Sequence, residues 1–269
     1  MPWLKDLLGS EKPIIAMAHL PPLPGAPLYD ARGGMSAIID YLLRDLRALQ
    51  AGGVDCIMFG NEGDRPYLLN ASPESLTAMA AAISAVRREI KVPFGVNYLW
   101  DPVATVALAV ATEAIFAREI FTGVYDSDMG LWQPDAAKAL RLRRDLGRDD
   151  LKLLFNINAE FAAPIGERPI EARAKSAVFS SLADAILVSG PMTGQPVDQS
   201  NLRRVKDAVG STPVLANTGC NIDNIADIFS VADGCIIGTH FKVDGDTWNP
   251  VDRARAESFM EVVRKVRGA

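Results

Sequence analysis

The stretch Pro213–Lys242, P-V-L-A-N-T-G-C-N-I-D-N-I-A-D-I-F-S-V-A-D-G-C-I-I-G-T-H-F-K, contains two short apolar runs that each end in a glycine turn. The first run, Val214–Ala216, is typical of a parallel strand that is buried on both faces. The second run, Gly234–Ile237, has the same character and is stopped by Gly238. The stretch therefore predicts two buried strands with a crossover segment between them.

The two glycine turns predict an anion site. Backbone N–H groups can approach an oxyanion closely where a side chain is missing, and the loops after the last two strands of an eight-stranded α/β barrel commonly hold phosphate. The alternative is that each glycine only turns the chain. We expect the following residues to bind phosphate: Asn217, Thr218, Gly219, Gly238 and Thr239.

Working outward, the same alternation of an apolar run and an amphipathic helix recurs along the chain. A helix near Ile222, capped by Asn221 or Asp223, is predicted between the two quoted strands. The other predicted strands are Ile14–Leu20, Cys56–Phe59, Phe94–Leu99, Ile115–Phe121, Lys152–Asn158 and Ala185–Ser189. The other predicted helices include Gly34–Gln50, one that begins at Ser72-Pro73, Pro102–Thr112, Pro134–Leu146, Pro169–Ser180, Gln199–Val209 and Asp252–Val266.

Eight strand–helix units without a linker predict an α/β fold, a single-domain (β/α)8 TIM barrel with eight parallel strands and outer helices. The domain is expected to span residues 1–269, with a short capping helix at about residues 2–9 over the N-terminal mouth. The alternative is a doubly wound open sheet, but no G-x-G-x-x-G follows the first predicted strand.

Composition excludes several classes of function. The net charge is -5, so no basic surface for nucleic acid or anionic lipid is expected. The three cysteines lack the C-x-x-C spacing of a zinc site and suit a reducing compartment. We expect a cytoplasmic protein without a signal peptide or transmembrane segment. Homo-oligomerisation stays open.

Polar side chains collect where the predicted strands end, and in a barrel these ends meet at one rim. His19 could act as general acid or base with Glu119 or Glu160, and the alternatives are a structural histidine and ion-paired glutamates. Strand alternation allows only one of Arg118 and Glu119 to point inward, and the sequence does not decide which. Asparagine is depleted in strands, so the asparagines at the strand ends suit the hydroxyls of a sugar. The residues expected to bind substrate are Asn61, Glu62, Asn97, Arg118, Asn156, Asn158 and Ser189.

No cofactor is firmly implied. Glu62, Glu119 and Glu160 offer the hard oxygen ligands that Mg²⁺ or Mn²⁺ prefers, but none of the strong metal motifs is present. Lys242 follows the last strand and is expected near the phosphate. Because no other lysine ends a strand, a Schiff-base aldolase is disfavoured.

The segment Ala18–Pro27, A-H-L-P-P-L-P-G-A-P, resembles the opening signature of the BtpA/SgcQ family. The resemblance covers nearly the whole chain, and it is closest to the SgcQ-like branch. The motifs that carry the similarity to that branch are Leu99–Ala104, Arg118–Gly123, Leu154–Ile157 and Leu215–Gly219. The family implies a (β/α)8 barrel. Its BtpA branch is associated with photosystem I accumulation, and its SgcQ branch with a carbohydrate-utilisation gene cluster.

Two departures separate the chain from the BtpA-like pattern. Gly60-Asn61-Glu62-Gly63-Asp64 stands where that branch tends to carry Glu-Asn-Phe-Gly-Asp, and Glu160-Phe161 replaces a typical Lys-His pair. The rim has thus lost positive charge and gained acids. We expect an enzyme of carbohydrate metabolism that binds a phosphorylated sugar or polyol and performs isomerase, epimerase or lyase chemistry. The alternatives are a non-catalytic assembly or regulatory factor, and a metal-dependent phosphatase or nucleotide hydrolase.

Overall fold

The computed structural model describes residues 2–268 and contains a closed barrel of eight parallel strands. The order around the barrel is β1-β11-β10-β9-β7-β4-β3-β2, so the first and last strands of the chain are neighbours. The predicted fold class is confirmed, whereas the extent of a single domain stays a prediction. The barrel strands are β1 Ile14–His19, β2 Cys56–Gly60, β3 Phe94–Asn97, β4 Phe116–Glu119, β7 Lys152–Asn156, β9 Ala185–Val188, β10 Val214–Ala216 and β11 Cys235–Ile237.

Helices follow the strands and surround the barrel. Where helices begin with a side-chain cap, the cap is the expected kind: the Ser72 hydroxyl accepts the Ser75 N–H at 3.3 Å, and the Asp101 carboxylate accepts two N–H groups. Within residues 2–268, no helix is both long and apolar enough to traverse a bilayer. The helices are α1 Pro2–Leu8, α2 Gly34–Gly52, α3 Pro73–Val86, α4 Pro102–Thr112, α5 Ala136–Asp145, α6 Ile170–Ser181, α7 Gln199–Ala208, α8 Ile225–Phe229 and α9 Arg253–Arg267.

The barrel strands are apolar because both of their faces are buried. Alternate residues of β1 show this: Ile15 and Met17 belong to the cluster inside the barrel, whereas Ile14 and Ala16 pack among the surrounding helices. Helix α1 adds Leu4 and Leu8 to the inner cluster. The capping helix was predicted at about residues 2–9 and is found at Pro2–Leu8.

Helix α8 begins three residues later than the predicted start near Ile222. The reason is a local turn that uses side chains in place of helical backbone bonds. The side-chain Oδ1 of Asn221 accepts the N–H groups of Asp223 and Asn224, and the Asn224 side chain accepts the Asn221 N–H. Asn221 therefore shapes the loop and does not cap a helix at Ile222.

A small antiparallel sheet, which the sequence did not predict, lies beyond the carboxyl ends of the barrel strands. It consists of β5 Tyr125–Ser127, β6 Gly130–Trp132 and β8 Ala162–Pro164, with β5 in the middle. Its buried side packs into a separate apolar cluster that includes loop residues after β3, β4 and β7. The predicted strands ran too far at these ends because the loop residues are also apolar and buried. The members of the cluster are Leu99, Trp100, Ile120, Tyr125, Trp132 and Ala159.

Candidate functional site

A cavity of about 220 Å³ opens at the carboxyl ends of the barrel strands. Most of the predicted rim residues contribute to its lining, and the rest lie behind it. The predicted residues that line the cavity are His19, Glu62, Arg118, Glu160, Asn217, Thr218, Gly219, Gly238 and Thr239. The predicted residues outside the lining are Asn61, Asn97, Glu119, Asn156, Asn158 and Ser189.

Both turns sterically require glycine, at positions 219 and 238. Gly219 has φ of +64°, and a Cβ there would lie 2.3 Å from the Gln195 carbonyl carbon. A Cβ on Gly238 would lie 3.0 Å from His19 Nε2. Glycine at these positions therefore allows the turn after β10 to pack against the loop after β9, and His19 to lie beside the turn after β11.

Unused backbone donors collect at the same two turns. The N–H groups of residues 218–220 and 238–240 have no hydrogen-bond acceptor within residues 2–268, and all six residues line the cavity. The Thr218 hydroxyl is already engaged, since it donates to the Gln195 carbonyl at 2.9 Å and accepts the Gly190 N–H. The available groups at this turn are therefore the backbone donors, which can bind an anion.

Arg255, which sequence reasoning missed, adds a cation to the turns. Its Nε donates to the His240 carbonyl at 2.8 Å, and the residue lines the cavity. It lies in the first turn of α9, so no strand-end pattern could have identified it. Lys242, expected near the phosphate, instead lies fully buried outside the cavity lining. Its Nζ donates to Asp45 Oδ2 at 3.1 Å, so its charge is paired with a buried carboxylate outside the cavity lining.

His19 and Glu62 form a buried pair on the cavity lining. His19 Nε2 lies 3.8 Å from Glu62 Oε1, while His19 Nδ1 and Glu62 Oε2 have no partner among residues 2–268. Burial lowers the pKa of His19 well below its ordinary value, so the imidazole is neutral. Burial also raises the pKa of Glu62 to about 7, although Arg118 and Lys242 oppose the shift.

Arg118 is the inward-pointing member of its pair with Glu119. Its Nη1 donates to the side-chain Oδ1 of Asn97 at 2.6 Å, and its Nη2 lies 3.4 Å from Glu160 Oε1. Glu119 accepts the Asn97 amide at 2.8 Å and the N–H of Ile120, outside the cavity lining. Desolvation raises the pKa of Glu119 to about 8.

Glu160 is held at the cavity by several donors. Its Oε2 accepts the Thr193 hydroxyl at 2.7 Å, and Asn217 Nδ2 lies 3.5 Å from its Oε1. The same Asn217 amide donates to the Ser189 hydroxyl at 2.7 Å, and that hydroxyl also accepts Asn156 Nδ2. Ser189 and Asn156 therefore support the lining residues from behind.

Asn61 and Asn158 fix the backbone. The side-chain Oδ1 of Asn61 accepts the Leu99 N–H at 2.7 Å, and its side-chain Nδ2 donates to Asp64. Asn158 bonds both the N–H and the carbonyl of Ser189. The expected ring of asparagines around sugar hydroxyls is not formed, because Asn217 alone among the five strand-end asparagines lines the cavity. The other amides satisfy buried groups of the protein.

The three glutamates named as metal ligands do not come together. Across residues 2–268, no group of three or more His, Cys, Asp or Glu side chains is placed to hold an ion. Glu119 contacts Asn97 and Ile120, whereas Glu160 contacts Arg118 and Thr193. Glu62, Glu119 and Glu160, considered above as possible metal ligands, therefore do not form one ligand set among the described residues.

The chain is similar to one protein family over nearly all of its length. The model of the BtpA family matches residues 10–265. The sgc region protein SgcQ of Escherichia coli (strain K12) is 49% identical over 267 residues, which are 99% of this chain and 100% of that protein. The photosystem I biogenesis protein BtpA of Synechocystis sp. (strain PCC 6803) is 30% identical over 94% of this chain and 88% of that protein.

Several solved barrels share the fold at low identity. The (S)-3-O-geranylgeranylglyceryl phosphate synthase from Thermoplasma acidophilum, in complex with sn-glycerol-1-phosphate, has a TM-score of 0.61 at 16% identity, with coverage of 98% and 99%. The orotidine 5'-phosphate decarboxylase from Pyrococcus horikoshii OT3 has a TM-score of 0.57 at 11% identity, with coverage of 93% and 99%. At these identities the similarity establishes the fold alone.

Proposed function

The chain belongs to the BtpA family, and from this premise we propose that it is an enzyme acting on a phosphorylated sugar or polyol by acid–base chemistry. One observation carries the proposal. A single cavity joins unused backbone N–H groups of two neighbouring strand ends to the buried pair of His19 and Glu62. An anion site beside a proton-transfer pair suits isomerase, epimerase or lyase reactions.

The phosphate would bind at the turns that contain Gly219 and Gly238. Six N–H groups that have no acceptor in the described part of the chain lie at these turns, and the Arg255 guanidinium adds positive charge. Charge-assisted hydrogen bonds to phosphate are stronger than neutral ones. Solved barrels of the same fold include one in complex with sn-glycerol-1-phosphate, which supports this assignment by analogy only.

Glu62 would move the proton. A pKa near 7 leaves the carboxyl able to accept a proton from carbon and to return it at neutral pH. The neutral imidazole of His19 lies beside Glu62 and next to Gly238, where it would hydrogen-bond a carbonyl or hydroxyl oxygen of the substrate. Glu160 would be the second acid–base residue, whereas Glu119 lies behind the lining and would only orient Asn97.

A non-catalytic assembly factor is the second candidate function. The relative named for photosystem I biogenesis supports it, as do two exposed apolar residues of the α6 end. The side chains are Phe179, 89% exposed, and Leu182, 61% exposed. This candidate predicts that changes at His19 and Glu62 leave the biological role intact.

The test is the thermal unfolding midpoint in the presence of inorganic phosphate, a panel of sugar phosphates and the matching free sugars. A ligand at 100 times its Kd stabilises the native state by about 2.7 kcal/mol. We expect phosphorylated compounds to raise the midpoint and free sugars to leave it unchanged. If none of the phosphorylated compounds raises it, with or without magnesium or manganese, the proposal fails.

Two arginine variants sharpen this test. Arg255→Met should weaken phosphate binding about tenfold, because it removes a charged donor. Arg204→Met is the matched control, since Arg204 pairs with Glu171 on the outer helices and does not line the cavity. Equal phosphate affinities of the two variants would contradict the placement of the phosphate.

A further inference from the structure

The loop after β9 lies at the mouth of the cavity. Its two ends are fixed, because the Thr218 hydroxyl accepts the Gly190 N–H and donates to the Gln195 carbonyl at 2.9 Å. Between these ends, residues 191–194 are exposed, and two of the four also line the cavity. These four residues, the loop tip, therefore separate the cavity from solvent.

The loop tip reaches the loops that follow two other strands. The Thr193 hydroxyl donates to Glu160 Oε2 at 2.7 Å, in the loop after β7. On the other side, a Cβ on Gly194 would lie 3.4 Å from the Thr239 hydroxyl oxygen, in the turn after β11. Because β10 lies between β9 and β11 in the barrel, the loop tip passes the turn of Gly219 to reach Thr239. It therefore extends along both glycine turns at which the phosphate would bind.

One hydrogen bond holds the loop tip in this position. Among residues 2–268, the bond from Thr193 to Glu160 is the only one that joins residues 191–194 to a part of the chain outside their own loop. An exposed segment with few hydrogen bonds opens at a lower free energy than packed strands and helices do. When this bond breaks, the loop tip can therefore move away while the ends of the loop stay in place.

The opposite wall of the cavity is held more firmly. Tyr67 follows β2, which lies opposite β9 in the ring of eight strands, and it lines the cavity together with Trp100. Tyr67 packs edge-to-face on Trp100 at 5.9 Å between ring centroids, and Trp132 of β6 packs on the same indole at 5.3 Å. The Tyr67 hydroxyl also donates to the Glu62 backbone carbonyl at 3.0 Å. Of the two walls, the loop tip is thus the one that is free to open.

The bond that holds the loop tip also orients Glu160, the second acid–base residue of the proposed function. It is the shortest contact of that carboxylate. Arg118 Nη2, Ser189 Oγ and Asn217 Nδ2 lie 3.4, 3.5 and 3.5 Å from Oε1. When the loop tip moves away, Oε2 loses the Thr193 hydroxyl. Closure of the loop tip and placement of the carboxylate are therefore linked.

We propose that residues 191–194 are a lid over the phosphate site and that Thr193 is a positioning residue, which couples closure of the lid to the placement of Glu160. Ligand enters and leaves through the open lid, and the closed lid retains it at the glycine turns. The bond from Thr193 to Glu160 favours the closed lid equally in the free and the bound protein. It therefore controls how fast a ligand exchanges and not how tightly it binds. This inference rests on the proposed function.

The test measures the Kd of inorganic phosphate by calorimetry and its exchange rate by phosphorus NMR relaxation dispersion. Thr193→Val keeps the size of the side chain but removes the hydroxyl. The open population should rise about tenfold, as expected for the loss of a hydrogen bond to a charged group. The association and dissociation rates should both rise about tenfold, while the Kd stays within about twofold of the wild-type value.

Two control variants accompany this measurement. Thr193→Ser keeps the hydroxyl and should keep the wild-type exchange rates. Thr77→Val removes an exposed hydroxyl that donates to the Pro73 carbonyl within α3, away from the cavity lining. It should change neither the Kd nor the exchange rates.

A second measurement needs no ligand. Spin labels at Met192→Cys, in the lid, and at Leu68→Cys, beside Tyr67, report the distance across the cavity mouth by pulsed EPR. Both positions are exposed, whereas the three native cysteines are buried and should not be labelled. Wild-type protein should give one main distance, and Thr193→Val should add a longer one.

Each contrary result has a distinct meaning. If Thr193→Val exchanges phosphate at the wild-type rates, the lid is overturned while the phosphate site stands. The same holds if its affinity falls about tenfold at an unchanged association rate, because Thr193 would then hold the phosphate directly. If wild-type protein binds neither inorganic phosphate nor any phosphorylated compound of the panel, the proposed function fails. The spin labels then test the lid alone, and identical distances in wild type and Thr193→Val overturn it.

Discussion

The two ends of the barrel are built from the same strands but follow opposite rules. At the N-terminal mouth, Leu4 and Leu8 of α1 pack on apolar residues inside the barrel. At the other end, Glu62, Arg118 and Asn217 carry buried polar atoms that have no partner among residues 2–268. The N-terminal end stabilises the fold, whereas the carboxyl end keeps buried polar groups that lower its stability. The difference teaches that the strand ends, and not the fold, indicate where chemistry takes place.

The largest expected effect tests whether the charge of Lys242 stabilises the fold or binds the phosphate. Lys242→Met removes the only fully buried cation that contacts Asp45 among the described residues and leaves that carboxylate with the half-exposed Arg44, so the free energy of unfolding should fall by about 4 kcal/mol. Affinity for inorganic phosphate should stay within about twofold, since Lys242 does not line the cavity. Chemical denaturation and calorimetry measure the two quantities.

Lys5→Met is the matched control for this variant. Lys5 pairs with Glu11 at 3.2 Å, but both side chains are exposed. The substitution should therefore change the free energy of unfolding by no more than about 0.5 kcal/mol. A large loss of phosphate affinity in Lys242→Met, without loss of stability, would place Lys242 in the site after all.

The next largest effect is at the apolar end. Leu8→Ala should lower the free energy of unfolding by about 3 kcal/mol, because it removes a fully buried side chain from the apolar cluster inside the barrel. Leu7→Ala, at a partly buried position on the same helix, should cost clearly less. Phosphate affinity should not change in either variant. A change in affinity would show that the two ends are coupled, which would break the comparison.

The smallest effect is a pH dependence that arises at the polar end alone. The pKa values of Glu62 and Glu119 are raised to about 7 and about 8, so the native state holds these protons more tightly than the unfolded chain does. Their contribution to stability is complete below the unfolded pKa of about 4.3 and is lost as the pH rises through 7 and 8. His19, whose pKa is lowered, acts in the opposite direction, but mainly below about pH 6.5.

Stability should therefore fall by about 2 kcal/mol between pH 6.5 and pH 8. The measurement is urea denaturation at each pH. The double variant Glu62→Gln/Glu119→Gln should show a flat profile, whereas Glu113→Gln, at an exposed position, should keep the wild-type slope. A wild-type slope in the double variant would mean that other groups titrate.

Much of the barrel fold can be predicted from the sequence, because barrel strands must be apolar on both faces. The run Val214–Ala216 and the helix Pro102–Thr112 were predicted with the observed bounds. The small sheet of β5, β6 and β8 could not be predicted, since each of its strands contains polar residues, a glycine or a proline, unlike the apolar run Val214–Ala216. Their pairing depends on loops that meet only in the folded chain.

The candidate site was partly predictable for the same reason. His19, Glu62 and Glu160 lie at strand ends, and the fold brings them to the cavity. Arg255 and Trp100 come from a helix and a loop, so only their tertiary position reveals them. Whether an amide such as Asn97 faces a ligand or a neighbouring side chain is decided by packing, which the sequence pattern does not contain.

The contact of Tyr67, Trp100 and Trp132 links three loops that follow different strands. A substitution in one of these loops alters the support of the cavity wall formed by the others. Divergence toward a new substrate would then proceed by joint replacement of the loops and not one position at a time. The barrel strands can then stay as they are while the three aromatic positions change together.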